Sequence, residues 1–314
     1  MFKGVAMNYK TLKETANNWN VSERRVRQLV EEGRIDNVKK VGRGWLIPND
    51  ASKPRDARVS VKQAEFIIEI PQDLEDINNK LAFLNKKRPL SKATLKSLKE
   101  SEIIDWTYNS NGIEGNTLTI KETKVVLEGI TVGGKSVREH LEVINHKEAI
   151  LFLEDLVNLN KSLTEIDIKN IHGLVLKDID KDNAGRYRNE NVIISGATHI
   201  PPNHMIVRDQ MEQLIINLGD WEKKYHPIIV AALLHGEFVK IHPFVDGNGR
   251  TARLLMNFIA IKNGYPPIVI KKEQRLAYYD ALDTAHTTGN YSAFVKMVCD
   301  LAQNYLDFYL SIIG

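Results

Sequence analysis

Residues 242–253, His-Pro-Phe-Val-Asp-Gly-Asn-Gly-Arg-Thr-Ala-Arg, place an imidazole, a carboxylate, two glycines and two guanidinium groups in one short run. A largely apolar stretch, Leu254-Leu-Met-Asn-Phe-Ile-Ala-Ile261, follows at once and predicts a buried helix. Glycines just before a helix let backbone N–H groups face an anion, and the helix N-terminus favours negative charge there. Arg250 and Arg253 share one face of the first turn. This chemistry suits a phosphate, with His242 close enough to act on whatever attacks it. In isolation the glycines also fit a plain tight turn capping a helix with a solvated basic face.

The elements around this run read as mainly α. Helical patterns cover 73–85, 91–112, 119–129, 136–159, 164–178, 207–224, 227–240, 248–263, 273–288 and 290–311. The exception is Asn191-Val-Ile-Ile-Ser-Gly-Ala-Thr-His-Ile-Pro-Pro202, where two β-branched runs flank Gly196 and predict a short hairpin. Pro201 and Pro202 stop ladder growth, so the hairpin should be exposed. Single cysteine Cys299 excludes an intrachain disulfide, and its apolar surroundings (Phe294, Val295, Val298) predict a buried structural thiol. No apolar stretch reaches membrane-spanning length and Met1-Phe-Lys-Gly-Val-Ala-Met does not read as a secretory leader, so a cytoplasmic protein is expected.

Charge is uneven. Residues 1–62 carry 14 Lys and Arg against 7 Asp and Glu, whereas the other 252 residues carry 29 against 33. Thr11 can cap a helix bearing Leu12, Ala16 and Trp19; Asn20 fits a turn; Ser22 can cap a second helix with Val26, Leu29 and Val30 inward. Gly33 ends that helix, and Val38 to Ile47, broken at Gly42-Arg-Gly44, predicts a two-stranded wing closed by Pro48. Over 1–52 this resembles the winged helix-turn-helix of excisionase-like and MerR-like regulators. The resemblance places Arg24, Arg25 and Arg27 on the exposed side of the second helix and Arg43 on the wing, facing DNA. A basic helix in a protein-interaction module fits the same charges. Residues 53–62 read as a linker.

The order His-x-Phe-x-Asp-Gly-Asn-Gly-Arg-x-x-Arg resembles the signature of the Fic family at every defining position. Ala184-Gly-Arg-Tyr-Arg188, Gly264-Tyr-Pro-Pro267 and Arg275-Leu-Ala-Tyr-Tyr-Asp-Ala-Leu282 recur in the family's order, so the resemblance covers about residues 100 to 305. It implies an all-helical bundle core over 164–305 with a β-hairpin flap. A helical region at 63–163 would precede the core, and a helix end at 306–314 would follow it.

The implied activity is transfer of AMP from ATP to a Ser, Thr or Tyr hydroxyl of a target protein, this chain included. His242 would be the base, Asp246 the Mg²⁺ ligand, and Gly247, Asn248 and Gly249 the phosphate cradle. Arg250 would meet the β-phosphate and Arg253 the γ-phosphate. Val192, Ile193, Ile194, Ser195 and Gly196 would form the flap that aligns the target by strand addition. Close relatives often carry a nucleotide-contacting Asn where this chain has His286. Dimers are common among such proteins.

Ser110-Asn-Gly-Ile-Glu-Gly115 resembles the inhibitory motif of regulated members, in which the glutamate pairs with the second signature arginine, here Glu114 with Arg253. That carboxylate would stand where the γ-phosphate belongs and force ATP into an unproductive pose. The same glutamate could orient a water that removes AMP from a modified protein. Glu114 before Gly115 also fits an ordinary helix end. Two other functions stay open: a transcription regulator using the Fic body as a nucleotide sensor, and a transferase of another nucleotide.

Overall fold

The structure, a computed structural model, describes residues 9–19, 21–31, 33, 35, 37–42, 44–54 and 66–313. The chain divides into two compact units, Met1–Gln63 and Ala64–Gly314.

In the first unit, β1 (Tyr9–Thr11) leads into α1 (Leu12–Trp19), then α2 (Glu23–Glu31), β2 (Lys39–Val41) and β3 (Gly44–Pro48). The strands form one antiparallel sheet in the order β1-β3-β2, with Lys10 opposite Ile47 and Lys40 opposite Trp45. The two-stranded hairpin expected over Val38 to Ile47 is β2-β3; β1 is an addition that three residues could not announce. Thr11 caps α1 in exchange with Glu14, and the Ser22 hydroxyl accepts from the Arg25 amide. Leu12, Ala16, Val26, Leu29, Val30 and Ile47 make the core. Arg24 and Arg27 are exposed, while Arg25 is half-buried and bonds Gln28 at 3.0 Å. Asn20, Arg43 and most of the linker lie outside the described residues.

The second unit is helical: α3 (Leu74–Lys86), α4 (Lys92–Ile113), α5 (Ile120–Leu127), α6 (Val137–Asn158), α7 (Glu165–Val175), α8 (Val207–Lys224), α9 (Pro227–Ile241), α10 (Asn248–Lys262), α11 (Arg275–Thr288) and α12 (Ser292–Ile313). Thr119, Ser136 and Thr164 each close a capping box, which fixes where α5, α6 and α7 begin. α9 is apolar on nearly every face, and α10 carries a long apolar run behind a polar first turn; both are buried around most of their circumference. Accordingly α9 is covered by α8, α10, α11 and α12, and α10 by α4, α6, α7 and α9. α12 runs unbroken from Ser292 to Ile313, with Leu301, Ala302, Leu306 and Tyr309 continuing its buried face. Cys299 is buried and free, and burial pushes its thiol up to about 12. No helix among the described residues is long and apolar enough to cross a membrane.

The segment 191–200 departs from expectation. It is extended around a turn at Ser195–Gly196, closed by the Ala197 amide to the Ile194 carbonyl, with no ladder between its arms. β-branched residues favour extended backbone, but pairing needs free amides on both arms. Here the Thr198 and His199 amides donate to Asp283 of α11, and Pro201 and Pro202 have none.

Candidate active site

α9 delivers His242 as its C-cap in a left-handed conformation (φ 49°), an uncommon state for a side-chain-bearing residue and one often found at functional sites. The chain then turns through Phe244 and Asp246 to Gly247, the N-cap of α10, which is also left-handed (φ 76°). A Cβ on Gly247 would come 3.2 Å from His172 Nε2, so glycine serves both conformation and space there. No side chain caps α10. Its first-turn amides are therefore left for an anion.

The loop is held from three sides. Asn248 bonds both backbone groups of Phe244, its Nδ2 to the carbonyl at 2.9 Å and its Oδ1 from the amide at 3.0 Å. Its side-chain amide thus staples the turn. His172 of α7 stacks flat on Phe244 with centroids 3.6 Å apart. Because His172 Nδ1 accepts from the Gly185 amide, its Nε2 carries the proton and donates to the Asp246 carbonyl at 2.8 Å. Arg188, 3% exposed, donates from Nε to the His242 carbonyl at 2.8 Å and reaches Glu190 and Pro202 at the two ends of the flap segment. The sequence pattern showed Arg188 as part of a recurring run but gave it no task, and nothing singled out His172.

Arg253 is 2% exposed. Its Nη2 donates to Glu114 Oε1 at 2.7 Å and to the Ser110 carbonyl at 2.8 Å, and its Nε to the Ser110 hydroxyl at 3.1 Å. Burial opposes the charge on Arg253, but Glu114 and Tyr278 outweigh it, so the guanidinium is held more firmly protonated than usual. Glu114 is the C-cap of α4 and Gly115 follows at φ 99°. The ordinary helix end and the arginine partner are thus the same residue. A Cβ on Gly249 would lie 2.3 Å from Glu114 Oε1, although its own backbone is helical. The missing Cβ at 249 makes room for the carboxylate's approach, while the helical dihedrals there do not call for glycine.

Arg250, 2% exposed, meets Asp246 Oδ1 at 3.3 Å and Glu142 Oε1 at 3.4 Å. Burial raises the Asp246 pKa, but Arg250, the Gly247 amide and Arg138 reverse this and hold it below the usual carboxylate range. Asp246 Oδ2 lies 2.7 Å from Arg138 of α6. Among the described residues no three His, Cys, Asp or Glu side chains gather as a metal site. A single carboxylate fits Mg²⁺ that arrives on phosphates and keeps water as its remaining ligands, and does not fit an ion held by protein alone.

Burial lowers His242 to about 4 against the opposing Val239 carbonyl, so the ring is neutral at pH 7. Burial likewise takes His172 to about 4 and His146 and His286 to about 3, and puts His235 well below its ordinary value. His286 sits behind the flap, bonding the Gly236 carbonyl at 2.9 Å and facing His199 edge-on.

A folded pKa below the unfolded one means the unfolded chain binds more protons in the window between them. The stability these rings contribute is thus lost as pH falls from about 6.5 towards 4. His146, His172, His242 and His286 should each cost about 2 kcal/mol between pH 7 and pH 5, a loss that together is comparable with an ordinary folding stability. Acid titration followed by near-ultraviolet circular dichroism should show unfolding well above pH 4; native signal persisting to pH 4 would contradict the burial of these rings.

Of the flap residues, Val192 and Ile194 are half-buried while Ile193, Ser195 and Gly196 are exposed, Ile193 at 81%. The Fic/DOC family pattern matches residues 162–260, which include the loop and the flap. The chain is 38% identical over 223 residues to a protein adenylyltransferase Fic of Aedes aegypti, covering 69% of this chain and 43% of that protein. It spans about half or less of the length of such curated relatives. Among solved structures, Fic-1 (residues 134–508) from C. elegans superposes with TM-score 0.68 and 31% identity, over 76% of this chain and 71% of that one. A Fic domain containing signaling protein from Bacteroides thetaiotaomicron gives TM-score 0.70 at 28% identity, over 77% and 96%. Signature, helical scaffold and relatives agree: this chain belongs to the Fic/DOC family.

Proposed function

We propose that the chain is a protein adenylyltransferase that moves AMP from ATP to a protein hydroxyl, and that Glu114 holds it shut. The observation that carries this reading is the 2.7 Å pair between Glu114 and the buried Arg253, placed over Gly249 at the uncapped start of α10. The amides of that first turn and Arg250 would bind the phosphates, and Asp246 would hold Mg²⁺, which neutralises phosphate charge when bound. The target oxygen attacks the α-phosphorus and the bond to the β-phosphate bridging oxygen breaks. Pyrophosphate leaves, and the hydroxyl proton passes to His242. His242 Nδ1 is buried, which leaves Nε2 to meet the substrate. Positioning and electrostatics supply most of the acceleration in such transfers.

While Glu114 occupies Arg253, a γ-phosphate meets a carboxylate and loses its guanidinium. A charged hydrogen bond of this kind is worth about 1.5–3 kcal/mol, so removing it should raise turnover about 10- to 100-fold. Incubation with α-labelled ATP should show that gain for Glu114→Gly over the parent, in the chain itself or in host lysate. Label incorporation equal in the two proteins would refute the brake. The exposed Arg24 and Arg27 on α2 and the exposed Lys39 and Lys40 of β2 support DNA as a partner of the first unit, with Arg25 turned partly inward.

A further inference from the structure

Arg138 of α6 is not part of the signature, yet it takes the oxygen on which metal binding depends. Asp246 Oδ1 is already engaged, accepting the Gly247 amide at 2.6 Å and facing Arg250 at 3.3 Å. That leaves Oδ2, and Arg138 Nη2 sits on it at 2.7 Å. The other edge of the same guanidinium, Nε, donates to Glu142 Oε1 at 3.1 Å, one turn along α6. Glu142 in turn accepts from Asn116, which follows the Glu114 turn, and faces Arg250. A cleft lined by Glu114, Asn116, Thr117, Glu139, Glu142 and Arg138 opens beside these groups.

We infer that Arg138 is a positioning residue that decides whether Asp246 can take a divalent cation. It acts as a cationic placeholder on Oδ2 in the closed state and must leave before metal can enter with the nucleotide. This rests on reading the α10 loop as a nucleotide site. A metal ligand needs Oδ2 free, because Oδ1 is committed to the backbone that shapes the loop. Arg138 can leave without stranding a charge: its side chain is 58% exposed, and Glu142 retains it through Nε when Nη2 lets go. The arginine therefore has two stations, Asp246 with Glu142 when the site holds no metal, and Glu142 alone when it does. With Glu142 neutralised in both, Arg250 remains available for phosphate. An ion pair this exposed is worth no more than about 1 kcal/mol, so the contest is one that a divalent cation can win, at a cost of about fivefold in affinity.

The test is Mn²⁺ affinity, read from the paramagnetic resonance signal of free Mn²⁺, for the Glu114→Gly chain with a non-hydrolysable ATP analogue. Arg138→Ala, and Arg138→Gln as the milder variant, should each tighten Mn²⁺ about fivefold. In an Asp246→Asn background the gain should vanish, because the contest is for that carboxylate and not for the general field. Unchanged affinity in both Arg138 variants overturns the inference, as does a gain that survives Asp246→Asn or a failure of every protein to take up Mn²⁺. The readout is metal affinity, so a Glu114→Gly chain that behaves this way and transfers no AMP would refute the proposed activity while leaving the role of Arg138 in place.

Discussion

His242→Ala in the Glu114→Gly background is expected to lower AMP transfer by about 10²- to 10⁴-fold, the usual contribution of a positioned base. Nucleotide binding should survive, because the phosphate groups of the site are the α10 amides, Arg250 and Arg253. The His242 backbone is anchored at both ends, its amide to the Phe238 carbonyl and its carbonyl from Arg188, while its ring faces the Val239 carbonyl. Truncating the ring leaves both bonds intact, so a collapse of the loop does not explain a loss of rate. The left-handed backbone at 242 suits alanine less well than histidine, and His242→Asn, a residue tolerant of that conformation, gives a second variant with the same expected loss. Transfer by either variant within a few-fold of its parent would remove His242 from the chemistry.

The pH profile sharpens the assignment. A base with an ordinary histidine pKa would lose half its free-enzyme rate near pH 6.5. His242, lowered to about 4 by burial, is already deprotonated throughout the range where the fold is sound. kcat/KM should therefore stay level from pH 8 to about 6 and fall below that only in step with the near-ultraviolet signal of the fold.

The contiguous part of the site was legible because one short segment carries both its chemistry and its geometry. A glycine pair followed by an apolar run predicts a loop entering a buried helix, and α10 begins at Asn248 as expected. The pair between Glu114 and Arg253 spans 139 residues, and only the order of two motifs pointed to it. His172, Arg188, Arg138 and Glu142 were not legible in role. Each is a single ordinary residue on a helix or loop of its own, and its task exists only once α6, α7 and the flap are packed around α10. The flap shows the opposite failure: local propensity gave the extended conformation correctly, but hydrogen-bond partners decided against a ladder, and the decisive one, Asp283, comes from a distant helix. Asn248 also holds the shape of its own loop through its side chain, a task that the glycine-bracketed motif did not reveal.

Glu114→Gln should destabilise the unliganded chain and make it far more responsive to ATP. In the parent, the guanidinium of Arg253 is 2% exposed and neutralised by one carboxylate. Replacing that carboxylate with an amide leaves a buried cation with neutral partners only, the Ser110 carbonyl and hydroxyl and Tyr278. Breaking a fully buried pair costs about 3–5 kcal/mol. Glu114 itself is 31% exposed and the glutamine oxygen still accepts a hydrogen bond, so about 1–3 kcal/mol is the expected loss here. A triphosphate then restores the missing negative charge. At a hundredfold excess over Kd it contributes about 2.7 kcal/mol, which in a chain of this size is a rise of several degrees in Tm. The parent should gain much less, because its carboxylate already occupies the place and repels the ligand. Arg253→Met supplies the contrast: it abandons Ser110 and should be destabilised at least as much, yet ATP should not rescue it, since the cation that both anions seek is gone. Thermal unfolding of the three proteins with and without ATP separates these cases. Equal ATP shifts for the parent and Glu114→Gln would mean that carboxylate and nucleotide do not compete for Arg253.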